Sequence, residues 1–165
     1  MNKKFNNSEE SYYASLENRF TFQIHVLESL ISRITELTVC KDIGLPLPHY
    51  RILLSLNRFG PSGVREIARF HTFTDSQVSR ALQELVTDGY VTRQDNATDR
   101  RAVIATITAS GRRLVKKALP AMVARNTRLA ESVDKKDLPA FRRVVEALTL
   151  EARNILNETL LPPTS

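Results

Sequence analysis

The feature that most constrains the fold is the order of local patterns between residues 64 and 107. Apolar residues at helical spacing first predict a short helix over 64–70, followed by a three-residue link. A second helix begins at Thr74, because Thr74-Asp75-Ser76-Gln77 has the Thr-x-x-Gln pattern of a capping box. Asp88-Gly89 ends this helix, since glycine often follows the last helical residue. These patterns predict two helices joined by a tight turn.

Two short strands follow these helices. Residues 90–93 form the first, and residues 103–108 alternate between two sets of side chains with the period of two that marks a strand. The segment between them, 94–101, is polar except for Ala97. Two strands around a polar turn predict a β-hairpin, and the whole order is that of a winged helix-turn-helix. The predicted fold class is therefore mainly α with a small β-hairpin wing.

The second helix of this unit has different chemistry on its two sides. Its apolar residues Val78, Leu82 and Leu85 recur at helical spacing and are predicted to face the core. Its polar side suits base edges, because arginine can pair with guanine, glutamine with adenine, and serine with either. Helix-turn-helix proteins place the start of this helix against DNA. We therefore predict DNA contacts by Ser76, Gln77, Ser79 and Arg80.

Gln77 has a second predicted role. Its side chain is also placed to pair with the backbone of Thr74 in the capping box. The sequence leaves both roles open.

The basic excess of the chain is local. The formal net charge is +6, from 24 Lys and Arg against 18 Asp and Glu. Between Arg100 and Ala130 there are 8 basic residues and no acidic one, whereas the rest of the chain is nearly balanced. A solvated helix face and a phosphate-facing surface both explain such a stretch, and the second gains affinity from counterion release. The charge distribution favours a polyanionic partner.

Apolar stripes at three- and four-residue steps lie near both ends of the chain. The first spans 16–37, in a helix that we expect to end near Cys40. The second spans 138–156, in a helix that we expect Asp134 to open. One small domain cannot bury both stripes, so the pattern predicts association with a second copy of the chain.

Two further segments have simple interpretations. Residues 1–15 are polar without periodicity and predict a flexible arm. Thr108 is suited to cap the helix that follows the wing. Pro120 lies within that helical pattern and predicts a kink or a break, because proline lacks a backbone N–H and clashes with the preceding turn.

Four motifs in this order resemble the MarR family of bacterial transcriptional regulators. They are Arg80-Ala81-Leu82-Gln83-Glu84-Leu85, Gly89-Tyr90-Val91-Thr92-Arg93, Asp99-Arg100-Arg101 and Ile107-Thr108-Ala109-Ser110-Gly111-Arg112. The family pattern is a helix ending in Leu-x-x-x-Gly, a Val-x-Arg strand, an Asp-x-Arg wing and a Leu-Thr-x-x-Gly helix start. Ile107 replaces the usual leucine of the last motif. The match is close over residues 45–115 and rests on pattern alone in the flanking helices.

The resemblance implies a winged helix-turn-helix with long N- and C-terminal dimerisation helices. Its parts are a flexible arm (1–15), dimerisation helices (16–44 and 109–160) and a DNA-binding module (45–108). It implies a homodimer that binds a pseudo-palindromic operator in double-stranded DNA, usually as a repressor. It also implies release by a small aromatic or anionic effector, or by cysteine oxidation. Candidate effector-binding residues are His25, Tyr50 and Arg51.

The polar wing tip is predicted to reach DNA as well. The resemblance implies that an arginine enters the minor groove, and both Arg100 and Arg101 are candidates for that position. Asn96 and Thr98 are predicted DNA contacts beside them. Asp99 is predicted to orient a wing arginine, since phosphate groups repel a carboxylate.

The reactive side chains of the chain show no catalytic or metal-binding pattern. His25, His49 and His71 have no Cys, Asp or Glu at ligand spacing, so we interpret them as core or capping residues and expect no metal and no cofactor. Cys40 matches no established sensing motif, which favours a buried inert thiol over a redox sensor. There is no phosphate-binding loop or nucleophile–base pair, so an enzyme has little support.

Length and cysteine content bound the class of protein. A chain of 165 residues suits one domain, or one core with an appended element. One cysteine cannot form an internal disulfide, and no signal peptide or membrane-spanning pattern is found, which predicts a cytoplasmic protein without a membrane partner. Two alternatives to a DNA-binding regulator remain, a winged-helix module whose wing contacts another protein and a small helical enzyme.

Overall fold

The computed structural model describes residue 15 and residues 19–71, 73–95 and 103–160. Predictions for the other residues lie outside this part of the chain, among them nearly all of the arm and the whole wing tip. The described chain forms two compact units, with the boundary between Met122 and Val123.

The elements confirm a mainly helical fold with a small sheet. In chain order they are α1 (Phe20–Thr35), a π-helical segment (Glu36–Cys40), α2 (Lys41–Ile43), α3 (Leu47–Phe59), β1 (Ser62–Gly63), α4 (Val64–His71), α5 (Asp75–Thr87), β2 (Val91–Asp95), β3 (Val103–Ile107), α6 (Ala109–Glu131) and α7 (Leu138–Leu160). The predicted helix–turn–helix–strand–strand order is confirmed over α4, α5, β2 and β3.

The core of the first unit is built from α3, α4, α5 and the sheet, with further side chains from the π-helical segment and from the first half of α6. Its most deeply buried side chains are Val39, Ile52, Leu53, Leu56, Ile67, Val78, Leu82, Leu85 and Val91. The predicted inward face of α5 is confirmed, because Val78, Leu82 and Leu85 are at most 1% exposed. Burying a side chain of this size contributes about 1.5–3 kcal/mol, so this face holds α5 firmly in place.

The sheet has a third strand that periodicity does not predict. Its order is β1-β3-β2 and both pairs are antiparallel. In β1, Ser62 pairs with Ala105 and Gly63 pairs with Ile104. Two residues are too few to show alternation. Pro61 and Gly63 are also residue types that usually interrupt regular secondary structure.

The end of α5 fixes the direction in which the chain enters the sheet. Gly89 has a φ of 74°, in the left-handed region that favours glycine. The Tyr90 N–H donates to Leu85 O at 2.9 Å and the Gly89 N–H donates to Val86 O at 3.0 Å, the two bonds of a Schellman motif. The predicted end of this helix at Asp88-Gly89 is thereby confirmed.

The Thr-x-x-Gly motif joins the start of α6 to the same turn. The Thr108 hydroxyl donates to Gly89 O at 2.8 Å and accepts from the Gly111 N–H at 3.1 Å, which confirms its capping role. A Cβ at position 111 would collide with Tyr90 O and lie 2.7 Å from Ile107 Cγ1. Glycine is therefore required at position 111 by close approach of the backbone.

The predicted first helix is not one regular α-helix. After α1, the Lys41 N–H donates to Glu36 O, five residues back, and Leu45 N–H donates to Cys40 O at 3.1 Å. A π-helical turn holds one residue more than an α-helical turn, and it changes the side of the helix on which later residues lie. Val39 and Cys40 are buried, whereas Leu30 is 58% exposed.

Two predictions about the later helices can be compared with the structure. Of the kink or break predicted at Pro120, the break is excluded, because the helix α6 continues through this residue. Burial of Val115 and Ala118 anchors the turn before the proline, which offsets the lost hydrogen bond. Asp134 does not open α7, because its carboxylate accepts from the Lys136 N–H at 3.0 Å and closes a turn instead. The helix α7 begins at Leu138 and has no buried residue.

Candidate nucleic-acid interface

The capping box at the start of α5 is confirmed. The Gln77 N–H donates to Thr74 Oγ1 at 3.2 Å, and the Thr74 N–H donates to Gln77 Oε1 at 2.9 Å. The hydroxyl groups of Ser76 and Thr74 are 3.0 Å apart. These bonds satisfy backbone groups that the first turn leaves open. Two roles are predicted for Gln77. The structure shows the capping role, which uses its side-chain oxygen.

The outward face of α5 carries the other predicted DNA contacts. Ser76, Gln77 and Arg80 are exposed, and Ser79 is half-buried. No hydrogen bond or ion pair joins the Arg80 guanidinium to the described residues. An arginine without a partner on a well-anchored helix keeps all its donors for a ligand.

Arg93 links the wing to this helix. It lies on β2, where its Nη2 donates to Ser79 O at 2.9 Å and its Nη1 donates to Gln83 Oε1 at 3.1 Å. The sequence places Arg93 in the Val-x-Arg motif but contains no signal for these partners. One of them is a backbone carbonyl, which exists at every position of a helix.

The wing tip itself lies in residues 96–102, outside the described part of the chain. The predicted contacts Asn96, Thr98, Arg100 and Arg101, and the predicted orienting residue Asp99, all fall there. The described wing ends at the pairing of Asp95 with Val103.

Two histidines connect neighbouring helices of the first unit through side-chain contacts. His49 of α3 is buried, and its Nε2 lies 2.8 Å from Glu84 Oε2 on α5. His71, at the end of α4, has its Nε2 2.5 Å from Ser55 Oγ on α3. Burial lowers the pKa of His71, which favours the neutral form of its ring. Both residues lie between helices, as predicted, whereas His25 is exposed within α1, so its predicted role as a core or capping residue is wrong.

The basic stretch after residue 100 has several local environments. Lys117 Nζ donates to Asp42 O at 2.8 Å, and Arg113 donates to Ser110 Oγ at 2.7 Å. Arg112 and Lys116 instead line a pocket. The excess of basic charge is therefore not one uniform surface.

This pocket lies between α3 and α6 within the first unit and has a volume of about 230 Å³. Apart from Arg112 and Lys116, it is lined by Tyr50, Leu54, Asn57, Val115, Leu119 and Met122. The Tyr50 hydroxyl donates to Met122 Sδ at 3.3 Å. Two cations beside apolar side chains suit a small ligand that has an apolar body and a negative charge.

The three predicted effector residues have different surroundings. Tyr50 lines the pocket, whereas His25 and Arg51 are not among its lining residues. Arg51 donates to Glu28 Oε1 at 2.8 Å and to Ser32 Oγ at 2.6 Å, which ties α3 to α1.

Cys40 is buried, as predicted for an inert thiol. It is 5% exposed, and burial raises the pKa of its thiol. A raised thiol pKa reduces the fraction of reactive thiolate. Among the described residues there is no group of three or more His, Cys, Asp or Glu that could hold a metal ion.

Comparison with known proteins agrees with this geometry. A family model described as MarR family matches residues 43–102, from the end of α2 to the wing. The HTH-type transcriptional repressor Rv2887 of Mycobacterium tuberculosis is 29% identical over 106 residues, which cover 64% of this chain and 76% of the relative. Over residues 43–102 the chain is similar to the MarR family.

Solved structures show the same fold. A MarR family regulator from Silicibacter pomeroyi has a TM-score of 0.72 at 22% identity, covering 81% of this chain and 89% of that one. BpsR of Bordetella bronchiseptica, whose DNA binding is regulated by 6-hydroxynicotinic acid, has a TM-score of 0.70 at 15% identity, covering 81% and 94%. The winged helix-turn-helix fold of the MarR family is thus confirmed for this chain.

The similarity to the MarR family indicates the class of function. MarR family proteins are transcription regulators and not enzymes, and the curated relatives of this chain are repressors. None of the described helices has both the length and the apolar character that crossing a bilayer requires.

Proposed function

We propose that this MarR family regulator is a homodimeric repressor that binds a pseudo-palindromic operator and leaves it when a small anionic aromatic ligand binds. The observation that carries the proposal is Arg80, which is exposed without a described partner on a helix whose opposite face is fully buried. Such a helix can hold a side chain rigidly against a base edge in the major groove.

In the proposed DNA interface, some residues recognise bases and others position the protein on the duplex. Arg80 and Ser76 are proposed to contact base edges, with Ser79 and Gln77 beside them. Gln77 keeps its amide NH₂ group for this contact while its oxygen serves the cap. Arg100 or Arg101 is proposed to enter the minor groove, where the pattern of donors and acceptors is nearly degenerate.

Exposed apolar stripes support the proposed homodimer. On α1, Phe20, Ile24, Leu27, Leu30 and Ile34 are 39–58% exposed in the single chain. On α7, Phe141, Val144, Val145, Ile155 and Leu156 are 39–55% exposed. Exposed apolar faces of this length mark association sites, and a two-fold dimer covers both copies of each stripe at once.

The pocket beside α6 supports the proposed effector. Its volume of about 230 Å³ suits a single aromatic ring, and Arg112 and Lys116 can pair with a carboxylate on that ring. A ligand of this class regulates the fold neighbour BpsR. Because only Thr108 separates β3 from the start of α6 at Ala109, a ligand there can alter the geometry of the wing.

Selection of DNA from a random pool tests the DNA-binding part of the proposal. We expect an operator with two inverted half-sites about 10 base pairs apart, because a two-fold dimer places its recognition helices one helical turn apart. Arg80→Ala should cost about 1–3 kcal/mol on that operator and much less on random duplexes. Arg100→Ala should weaken both and lower the salt slope by about one unit.

Two outcomes would contradict this proposal. Failure to enrich any sequence, together with no salt-dependent binding, would instead support a module whose wing contacts another protein. An Arg80→Ala variant that keeps the operator preference would show that another part of the chain reads the bases.

A titration with aromatic carboxylates tests the effector part separately. Wild-type protein should gain melting temperature with a ligand of this class and lose affinity for the operator. Lys116→Gln, which removes a pocket cation and leaves α6 helical, should lose the response to ligand. The exposed Lys135, which does not line the pocket, provides the control Lys135→Gln.

A further inference from the structure

Arg93 joins two parts of the proposed DNA interface, the helix α5 and the wing, by hydrogen bonds. Its guanidinium donates to Ser79 O at 2.9 Å and to Gln83 Oε1 at 3.1 Å. Ser79 and Gln83 are four residues apart and therefore lie on the same side of α5, one turn from each other. The strand β2 that carries Arg93 leads directly to the wing tip.

The chemistry of the guanidinium makes this link rigid. The group is planar, and its N–H donors have a fixed fork geometry, so two acceptors on one helix set both a distance and an angle. Arg93 is half-buried, and its Nε is buried without a described partner. On the neighbouring strand it pairs with Ala105, which is 1% exposed. The stem of the wing is thus fixed to the recognition helix on one side and to the core on the other.

We propose that Arg93 is a positioning residue for DNA recognition. It holds the wing at the separation from α5 that lets the helix reach the major groove while the wing reaches the minor groove. Its two described hydrogen bonds are both to α5, so it acts through that helix and not by contact with DNA. This inference rests on the proposed function, because it assumes that both elements engage one operator.

Three variants separate positioning from a phosphate contact. Arg93→Ala should lower operator affinity about tenfold or more, because hydrogen bonds to a charged group are the stronger ones. Arg93→Lys keeps the charge but loses the fork, so it should resemble Arg93→Ala. Gln83→Ala removes one acceptor and leaves β2 unchanged, so it should lose less operator affinity than Arg93→Ala. It should also remain folded if Arg93→Ala does not fold. Arg58→Ala, at an exposed arginine of α3 without a described partner, is the matched control and should bind the operator normally.

The geometry is measured directly with spin labels on α5 and on the wing. Cysteines at Thr87 and Val103, both exposed, carry the labels in a Cys40→Ala background. Dilution with excess unlabelled protein leaves one labelled chain per assembly. We expect a narrow distance distribution in the otherwise wild-type chain and a broader or shifted one in Arg93→Ala, Arg93→Lys and, to a smaller extent, Gln83→Ala.

Specific outcomes would overturn the inference. Affinity that Arg93→Lys restores, with an unchanged distance distribution, would show a direct phosphate contact instead. An operator that wild type and Arg93→Ala bind equally well would overturn the positioning role alone. If the wild-type protein enriches no operator at all, the proposed function fails and the inference fails with it.

Discussion

The winged-helix module and the terminal helices differ in where their apolar faces find partners. In the module, Leu82 and Leu85 of α5 are at most 1% exposed, because α3, α4 and the sheet surround them within one chain. In the terminal helices, Leu30 of α1 is 58% exposed and Leu156 of α7 is 54% exposed. Both regions show the same helical periodicity in the sequence. Periodicity therefore establishes that a face needs a partner, and not whether the same chain supplies it.

The largest expected effect comes from breaking the terminal face. Leu156→Asp places a charge in the stripe of α7, where a second copy is proposed to pack. We expect sedimentation to shift from twice the 18.7 kDa chain mass to that mass. Operator affinity should fall about 100-fold or more, because the two half-sites would no longer be linked.

Leu150→Asp is the matched control for this change. Leu150 is also exposed on α7, at 63%, but lies outside the stripe. It should remain dimeric. A wild-type chain that sediments as a folded monomer would contradict the proposed role of both terminal helices.

The next effect lies within the module and should not depend on a second copy. In Gly111→Ala the new Cβ collides with Tyr90 O, so α6 must move away from the turn after α5. Overpacking of this kind costs about 1–3 kcal/mol in the free energy of unfolding. Chemical denaturation should give the same loss at every protein concentration, and Ser110→Ala provides the neighbouring control. An unchanged free energy of unfolding would show that this contact is not tight.

A smaller loss is expected when the cap of α5 is removed. Thr74→Ala loses the acceptor for the Gln77 N–H and should cost about 0.5–2 kcal/mol. Thr74→Ser keeps that acceptor and should retain most of the stability. Melting temperatures of the two variants, measured beside their operator affinities, separate loss of the cap from loss of a DNA contact. Equal melting temperatures for the two variants would contradict a stabilising cap.

The smallest effect tests a contact between the two regions. Hydrogen bonds from Ser32 and from Arg51 of the module hold the pKa of the Glu28 carboxyl on α1 below its ordinary value. A lowered pKa stabilises the fold above the unfolded pKa, near the ordinary 4.5, and this stabilisation is lost as pH falls through the lower folded value. The pair is exposed, so at most about 1 kcal/mol is involved.

Denaturation of wild type and Glu28→Gln between about pH 3 and pH 6 measures this contribution. The two proteins should differ most at the upper end of that range and converge at the lower end. A difference that grows as the pH falls would have the wrong sign for a carboxyl with a lowered pKa.

The elements of the module could be predicted because local chemistry determines them. Thr74 and Gln77 form the cap that their spacing predicts, and Gly89 ends α5 where a left-handed residue is needed. The strand β1 could not be predicted, since Ser62 and Gly63 become a strand only by pairing with β3. The break offered as one outcome at Pro120 does not occur, because packing of the preceding turn keeps α6 continuous.

Predictions for the site were limited by tertiary contacts. The exposure of Arg80 follows from the inward pattern of α5 and could be predicted. The partners of Arg93 could not, because they depend on how β2 crosses the helix. Arg112 and Lys116 belong by sequence to one basic stretch, and only the packing of α6 on α3 places them around a pocket.

The π-helical segment between α1 and α2 sets the rotational phase of the chain. An α-helix advances by about 100° per residue, so one additional residue in a single turn rotates everything before it by that angle. Without the π-helical turn, the exposed stripe of α1 would point in a different direction relative to the buried Val39. Deleting Thr38 should restore a regular helix and turn the stripe away from its present direction while the module keeps its own core. The loss of one residue would then leave a subunit that folds but no longer dimerises.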